Sequence, residues 1–412
     1  MLKNIKIMGI VAILFIVIGT IYINKPYDEK EYLSKNHASI NLEYDDFTGL
    51  DILSKDLKGK KIILTGEKHG LDKNYKMKFK MLKHLQKEIG VNYLLSEMGY
   101  PDAYFLNKYL DSGDEKILMD YFSNYSAQKS ANEDYYKLYK NIYEFNQTLP
   151  ENKRIKIVGV DINTFITDKY ILDILKDKNI MTDKLDILLD ELEDFNYYAP
   201  VLYKNLMNIV NDLLKDVESN KNTYIKMFGD DFEGFEYAIR SLGKLCQSFI
   251  VDAKDRYNLR DKFIYENFKE LDAKLDNPVY FGQFGGAHIY QDIIFSNFIS
   301  EDIKYFGAWL NNDEKYKGKV LSIQYGYYST QLSLHNNDYA IEENLFEDFL
   351  DTEPNEIIFK LNNIKSPYAK TAIYPFDNAS FDYKNTPTTN YYEYFILLKD
   401  AKYSKALKFD NN

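Results

Sequence analysis

Between Ile62 and Leu71 the chain reads IILTGEKHGL: an apolar run of β-forming residues stops at Gly66, and a carboxylate and an imidazole follow at Glu67 and His69. The next stretch, YKMKFKMLKHLQKEIG, has the apolar spacing of an amphipathic helix and places Gly90 where a helix C-cap wants a glycine. VNYLLSEMG then reads as a second strand, ending on Glu97. Strand, helix and strand in this order predict a βαβ unit, and with it an α/β fold whose central sheet is mainly parallel and flanked by helices.

The rest of the chain extends this pattern. Helical spacing runs from Pro101 to about Thr148, and RIKIVGVDI supplies a third strand running out to Asp161. From about Asp168 to Asp276 nearly every segment has helical period, which predicts a large helical insertion or cap beside the sheet. PVYFGQFGGAHIY returns to strand and then to a glycine-rich turn bearing His288, and IKYFGAWL, KVLSIQYGYYST and YEYFILLKD are read as the strands that complete the sheet. The whole is expected to be one α/β domain from about residue 46 to 405.

The two ends constrain location and stability. Lys3 and Lys6 precede about 17 mostly apolar residues, Ile7 to Ile23, the lower limit for crossing a bilayer. No small-x-small cleavage pattern follows, so residues 1–24 are expected to be an uncleaved signal anchor in the cell membrane, a single pass with the catalytic domain outside the cytoplasm. Residues 25–45, polar and carrying Pro26, are expected to be a tether. The only cysteine, Cys246, lies among residues of helical apolar spacing and is read as core, so stability must come from packing rather than a disulfide. A net charge of −11 with no basic stripe excludes nucleic acid as a partner.

Polar residues at strand ends carry the chemistry. Glu67 and His69, Glu97, Asp161 and His288 all fall at or just past the end of an apolar strand, and in an open parallel sheet those ends share the edge where ligands bind. His69 and His288 also have glycine beside them, at Gly70 and Gly286, where backbone can approach a ligand closely. The other histidines lack this setting: His37 is in the tether, His84 is on a helix among lysines and His335 is in a polar loop, so surface roles are expected for them. Two imidazoles and several carboxylates support either of two mechanisms. In one a histidine is a general base on water and a glutamate orients it. In the other Glu67, His69, Glu97 and His288 hold a divalent zinc, manganese or iron ion that activates the water. No G-x-S-x-G elbow, Walker loop, dinucleotide fingerprint or H-E-x-x-H pair is present, which disfavours serine hydrolases and nucleotide enzymes.

The block from Gly66 to Leu110 resembles the opening of the erythromycin esterase family, with its Gly-Glu, His-Gly, helical Lys and strand-ending Glu in order. IVGVDI, YNLRDKFIYENFKEL and FGQFGGAHIY are similar to later motifs of that family, so the likeness runs from about Asp46 to Tyr403. The resemblance implies a hydrolase of esters or lactones, with Glu67, His69, Glu97 and His288 as the active-site set and His69 as general base. Arg260, Asp161 and Lys78 would then contact a small-molecule ester or lactone, and antibiotic resistance is one role such an enzyme could serve. The spacing departs in one respect: Lys68 alone separates Glu67 from His69, where the esterases have two residues. That spacing looks more like the wider Tiki and ChaN superfamily, which implies two alternatives: a metal-dependent hydrolase or peptidase, and a haem or small-ligand binder using the two histidines as axial ligands.

Overall fold

The computed structural model describes residues 27–126, 131–176, 178, 181–329, 339–354, 356–377, 380–383 and 386–408. The expected anchor, residues 1–24, and His335 lie outside them. No helix among the described residues is long and apolar enough to cross a membrane.

The strands are β1 (His37–Ile40), β2 (Ile62–Glu67), β3 (Tyr93–Ser96), β4 (Lys156–Gly159), β5 (Tyr280–Gly285), β6 (Ile294–Ser296), β7 (Glu301–Ile303), β8 (Val320–Tyr328), β9 (Ala340–Ile341), β10 (Glu356–Lys360), β11 (Phe376–Asp377), β12 (Phe381–Asp382) and β13 (Tyr394–Lys399). The main sheet runs β1-β10-β13-β8-β2-β5-β3-β4, with β9 and β11 off its path, and β12-β6-β7 form a small second sheet. From β13 to β4 every pairing is parallel, while β10 and β1 extend the other edge by antiparallel pairing. The mainly parallel sheet flanked by helices is therefore as the sequence pattern indicates.

Both faces of this sheet are covered, which explains why its strands read as continuous apolar runs. Ile63, Leu94 and Phe281 point into one core. Their neighbours Ile62, Leu64, Leu95 and Tyr280 point into the other. The helix Asp72–Ile89 crosses from β2 to β3 and ends at Gly90, whose φ of 71° is the left-handed conformation a C-cap requires. A third core lies within the insertion, whose helices run from Thr167 to Asp272. Cys246 is buried in that core, where desolvation pushes its thiol up to about 12, so it packs as the small apolar residue expected.

Three expectations are corrected. The segment read as a tether is folded: Asp28 caps a helix, Glu29–Lys35, that buries Tyr32 and Leu33, and β1 follows as the edge strand on β10. Those two apolar side chains, hidden in a polar composition, dock the segment. IKYFGAWL does not join the main sheet: β7 ends at Ile303, and Phe306–Asn312 is a helix whose first amide donates to Asp261 Oδ1 at 2.8 Å. A side-chain acceptor from a distant helix thus starts a helix where composition suggests a strand.

His84 is the third. It is 3% exposed rather than on the surface, packed 5.5 Å from the Phe47 ring, and neither ring nitrogen has a hydrogen-bond partner. Burial lowers its pKa from 6.5. A histidine depressed in the folded state charges more readily when unfolded, so protonation opposes folding. His84→Leu is expected to raise stability by about 1–3 kcal/mol by removing an unpaired buried polar group. Chemical denaturation between pH 8 and pH 5 checks this: the wild type should lose stability below about pH 6.5 and the variant should lose less.

Candidate active site

Four neighbouring strands, in the order β2-β5-β3-β4, bring their C-terminal ends to one edge. β5 arrives from the far end of the insertion and sits between β2 and β3, so Glu67 pairs in register with Gly285 and Ser96 with Gln283. This inserted strand makes residues distant in the chain converge. Close approach is needed: a Cβ on Gly66 would stand 3.0 Å from Gly286 Cα and 2.7 Å from Gln324 Oε1. One on Gly285 would stand 3.2 Å from His69 Nε2. Gly66 and Gly285, each three residues before a site histidine, therefore let the two site loops pass each other.

His69 Nδ1 lies 2.9 Å from Glu67 Oε1, which fixes the ring and turns Nε2 toward Glu97, 3.7 Å away. The other Glu67 oxygen accepts from Gln283 Nε2. Glu97 Oε2 accepts from the Gly285 amide at 2.7 Å. Its Oε1 is shared by Arg260 Nη2 at 2.9 Å and His288 Nε2 at 3.3 Å. Arg260 comes from the helix Ala253–Asp272 and forks onto Asp161, Nη2 to Oδ2 at 2.6 Å and Nε to Oδ1 at 3.2 Å. Asp161 also takes the Ile162 amide and the Asn163 side chain. His288 Nδ1 meets Asp261 Oδ1 at 2.7 Å.

Charge in this network is strongly coupled. Burial alone would lower the His69 pKa, but the Glu97 charge and the Glu67 bond outweigh it and lift it to about 9. The His69 side chain is 64% exposed to the cleft, so solvent screens part of that pull. His288, 11% exposed, rises to about 10 because Asp261 and Glu97 outweigh its burial. Glu97 is held well below the ordinary carboxylate range: the two histidines and Arg260 overcome its desolvation. Burial lowers the ammonium of Lys78, against the opposing fields of Glu67 and Glu97.

A cleft with two lobes opens on this network, and Glu67, His69 and Arg260 line both. One lobe, of about 270 Å³, is walled by Gly285–His288 with Tyr257 and Tyr305. The other, of about 520 Å³, takes in Lys78, Ser96, Glu97, Asn132 and Asp161. Every residue singled out in the sequence thus borders the cleft. The sequence reading missed Asp261 and Gln283, the partners of His288 and Glu67. Asp261 follows Arg260 directly within YNLRDKFIYENFKEL, so its signal was its place in that family-like motif beside an arginine already chosen.

The sequence left open a metal set of Glu67, His69, Glu97 and His288, and the side chains are not grouped as ligands of one ion. Among the described residues no group of three or more His, Cys, Asp or Glu side chains is placed to hold a metal ion. The donor chemistry explains this: Arg260 Nη1 stands 3.2 Å from His288 Nε2, a fixed positive charge where an ion would bind, and the glutamates are spent on guanidinium, amide and imidazole donors. His288 also turns both ring nitrogens onto carboxylates, Nδ1 to Asp261 at 2.7 Å and Nε2 to Glu97 at 3.3 Å, which leaves it unsuited as an axial ligand to haem.

The chain matches no family model and no curated protein sequence. Among solved structures it is similar to a His-to-Asn mutant of erythromycin esterase EreC in its open conformation, with TM-score 0.65 at 13% identity over 91% of this chain and 99% of the other. The fold is that of the erythromycin esterase-like proteins. Two further structures share this esterase-like fold at TM-score 0.64: a Bacillus cereus protein, 16% identical over 93% of this chain and 100% of its own, and a succinoglycan biosynthesis protein, 14% identical over 92% and 98%.

The network makes His288 an imidazolium at neutral pH. Its raised pKa contributes stability that is complete below about 6.5 and lost as pH rises through about 10. Nitrogen-detected NMR of the imidazole should show both ring nitrogens protonated at pH 7, and Asp261→Asn should bring the titration down by more than one pH unit. A neutral His288 ring at pH 7 in the wild type would contradict this electrostatic arrangement.

Proposed function

We propose that this chain is a hydrolase that cleaves an ester or lactone of a small molecule with water activated at His69. The observation that carries the reading is the Glu67–His69 pair, a carboxylate 2.9 Å from Nδ1 with the other ring nitrogen facing the cleft. A carboxylate at Nδ1 holds the tautomer in which Nε2 can take a proton from water, and it stabilises the imidazolium that results. Across the cleft, Arg260 and His288 place positive charge where a carbonyl oxygen would become negative, so they are suited to stabilise that oxyanion. Glu97 sits between the two halves and positions Arg260 and His288 while facing His69. The similarity in fold to an erythromycin esterase supports the class of reaction, and the cleft's two unlike lobes support an asymmetric substrate.

On this reading the basic form of His69 is the minor form near neutrality, because its pKa is raised toward about 9. The rate of ester cleavage, kcat/KM against 4-nitrophenyl esters and simple lactones, should therefore climb with pH and level off at or below about 9. His69→Ala should lose ~10²–10⁴-fold in rate, the usual contribution of a positioned base, with a melting temperature close to that of the wild type. An unchanged rate in His69→Ala, or no cleavage of any ester or lactone in such a panel, would refute the reading.

We further propose that the run Ile7–Ile23, led by Lys3 and Lys6, anchors the chain in the cell membrane with the α/β domain outside the cytoplasm. Carbonate-resistant membrane fractionation and digestion by external protease in intact cells should both be positive; recovery of the chain in the soluble cytoplasmic fraction would refute this.

A further inference from the structure

The larger lobe of the cleft has unused donors and few unused acceptors. Lys78 projects into it from the helix Asp72–Ile89, and the residue is only 6% exposed. Among the described residues its Nζ has no hydrogen-bond or ion-pair partner. The hydroxyl of Ser96, 1% exposed on the same lobe, is also unpartnered. The carboxylates of the lobe are in the opposite condition. Glu67 gives one oxygen to His69 and the other to Gln283. Glu97 gives its oxygens to Arg260 and the Gly285 amide, and Asp161 gives both to Arg260.

A side chain this buried whose ammonium meets no protein acceptor leaves that ammonium facing whatever occupies the cleft. An ammonium offers three donors and a hydroxyl one more, all asking for an acceptor-rich ligand. In a lobe that Glu67, Glu97 and Asp161 also line, this one ammonium suits a ligand with no more than one negative charge. Charge-assisted contacts of this kind are also the stronger class of hydrogen bond.

We infer that the larger lobe is an anion subsite in which Lys78 and Ser96 bind a carboxylate carried by the substrate. The substrate is then an ester or lactone whose acyl or alcohol part bears a second, free carboxylate, with the scissile group at His69 and the carboxylate at Lys78. This rests on the hydrolase reading for the bond that is cleaved, but the subsite itself is a statement about binding. The smaller lobe, with Tyr257 and Tyr305, would take the less polar part.

The test is calorimetric binding to the full chain of two hydrolysis-resistant amides of equal length, the monomethylamide of glutaric acid and the neutral N-methylpentanamide. The anion should bind the wild type at least tenfold more tightly. That preference should vanish in Lys78→Met and weaken in Ser96→Ala, with Lys78→Met melting at or above the wild-type temperature because an unpaired buried charge is removed. Equal affinity for the two amides in the wild type, or a preference that survives in Lys78→Met, would overturn the proposal. Because nothing is cleaved in this measurement, the subsite can hold in a protein that fails the esterase assay, and it can fail in one that passes.

Discussion

The Arg260 guanidinium holds the cleft together. It leaves the helix Ala253–Asp272 at the end of the insertion and forks onto Asp161, beyond β4, while also meeting Glu97, beyond β3. Asp161 is 1% exposed, so without the guanidinium a fully desolvated carboxylate would have no counter-ion. Breaking a buried pair from one side costs ~3–5 kcal/mol, because the other charge remains buried. One side chain therefore ties the helical insertion to the active edge of the sheet, and it sets the electrostatic field in which both histidines sit.

Within that field the two imidazoles differ by environment rather than by type. His288 is enclosed, with Asp261 on one ring nitrogen and Glu97 and Arg260 near the other, and it remains a cation. His69 has one nitrogen fixed by Glu67 and the other 3.7 Å from Glu97, with 64% of its side chain exposed in the cleft. A sealed cation beside an open, carboxylate-supported ring is the asymmetry on which the proposed hydrolase reading rests. Asp261 extends this economy outward, since the oxygen that orients His288 also caps the helix Phe306–Asn312.

Much of the candidate site was legible because strand ends are legible. Glu67, Glu97, Asp161 and His288 each terminate an apolar run, and parallel topology brings such termini together whatever the loops do. Asp261 and Gln283 could not be found the same way. The first lies inside a helix, where an acidic residue usually faces water, and the second lies within β5, where its polar side chain interrupts an apolar run without marking an end. His84 misled for the converse reason: lysines around it on the helix suggested solvent, yet the ring faces Phe47 from a segment thirty-odd residues away in sequence.

The opening βαβ unit, the mainly parallel sheet and the edge at which polar residues gather were legible in the sequence alone, because hydrophobic period and local caps act over a few residues, whereas the edge strand β1 and the helix Phe306–Asn312 were not. Tertiary structure decided which partner each polar atom met. The insertion of β5 between β2 and β3 set His69 against Glu97 and Gly285. The return of the helix Ala253–Asp272 set Arg260 against Glu97 and His288. Such pairings depend on contacts between segments far apart in the chain, and no local pattern in the amino-acid order records them.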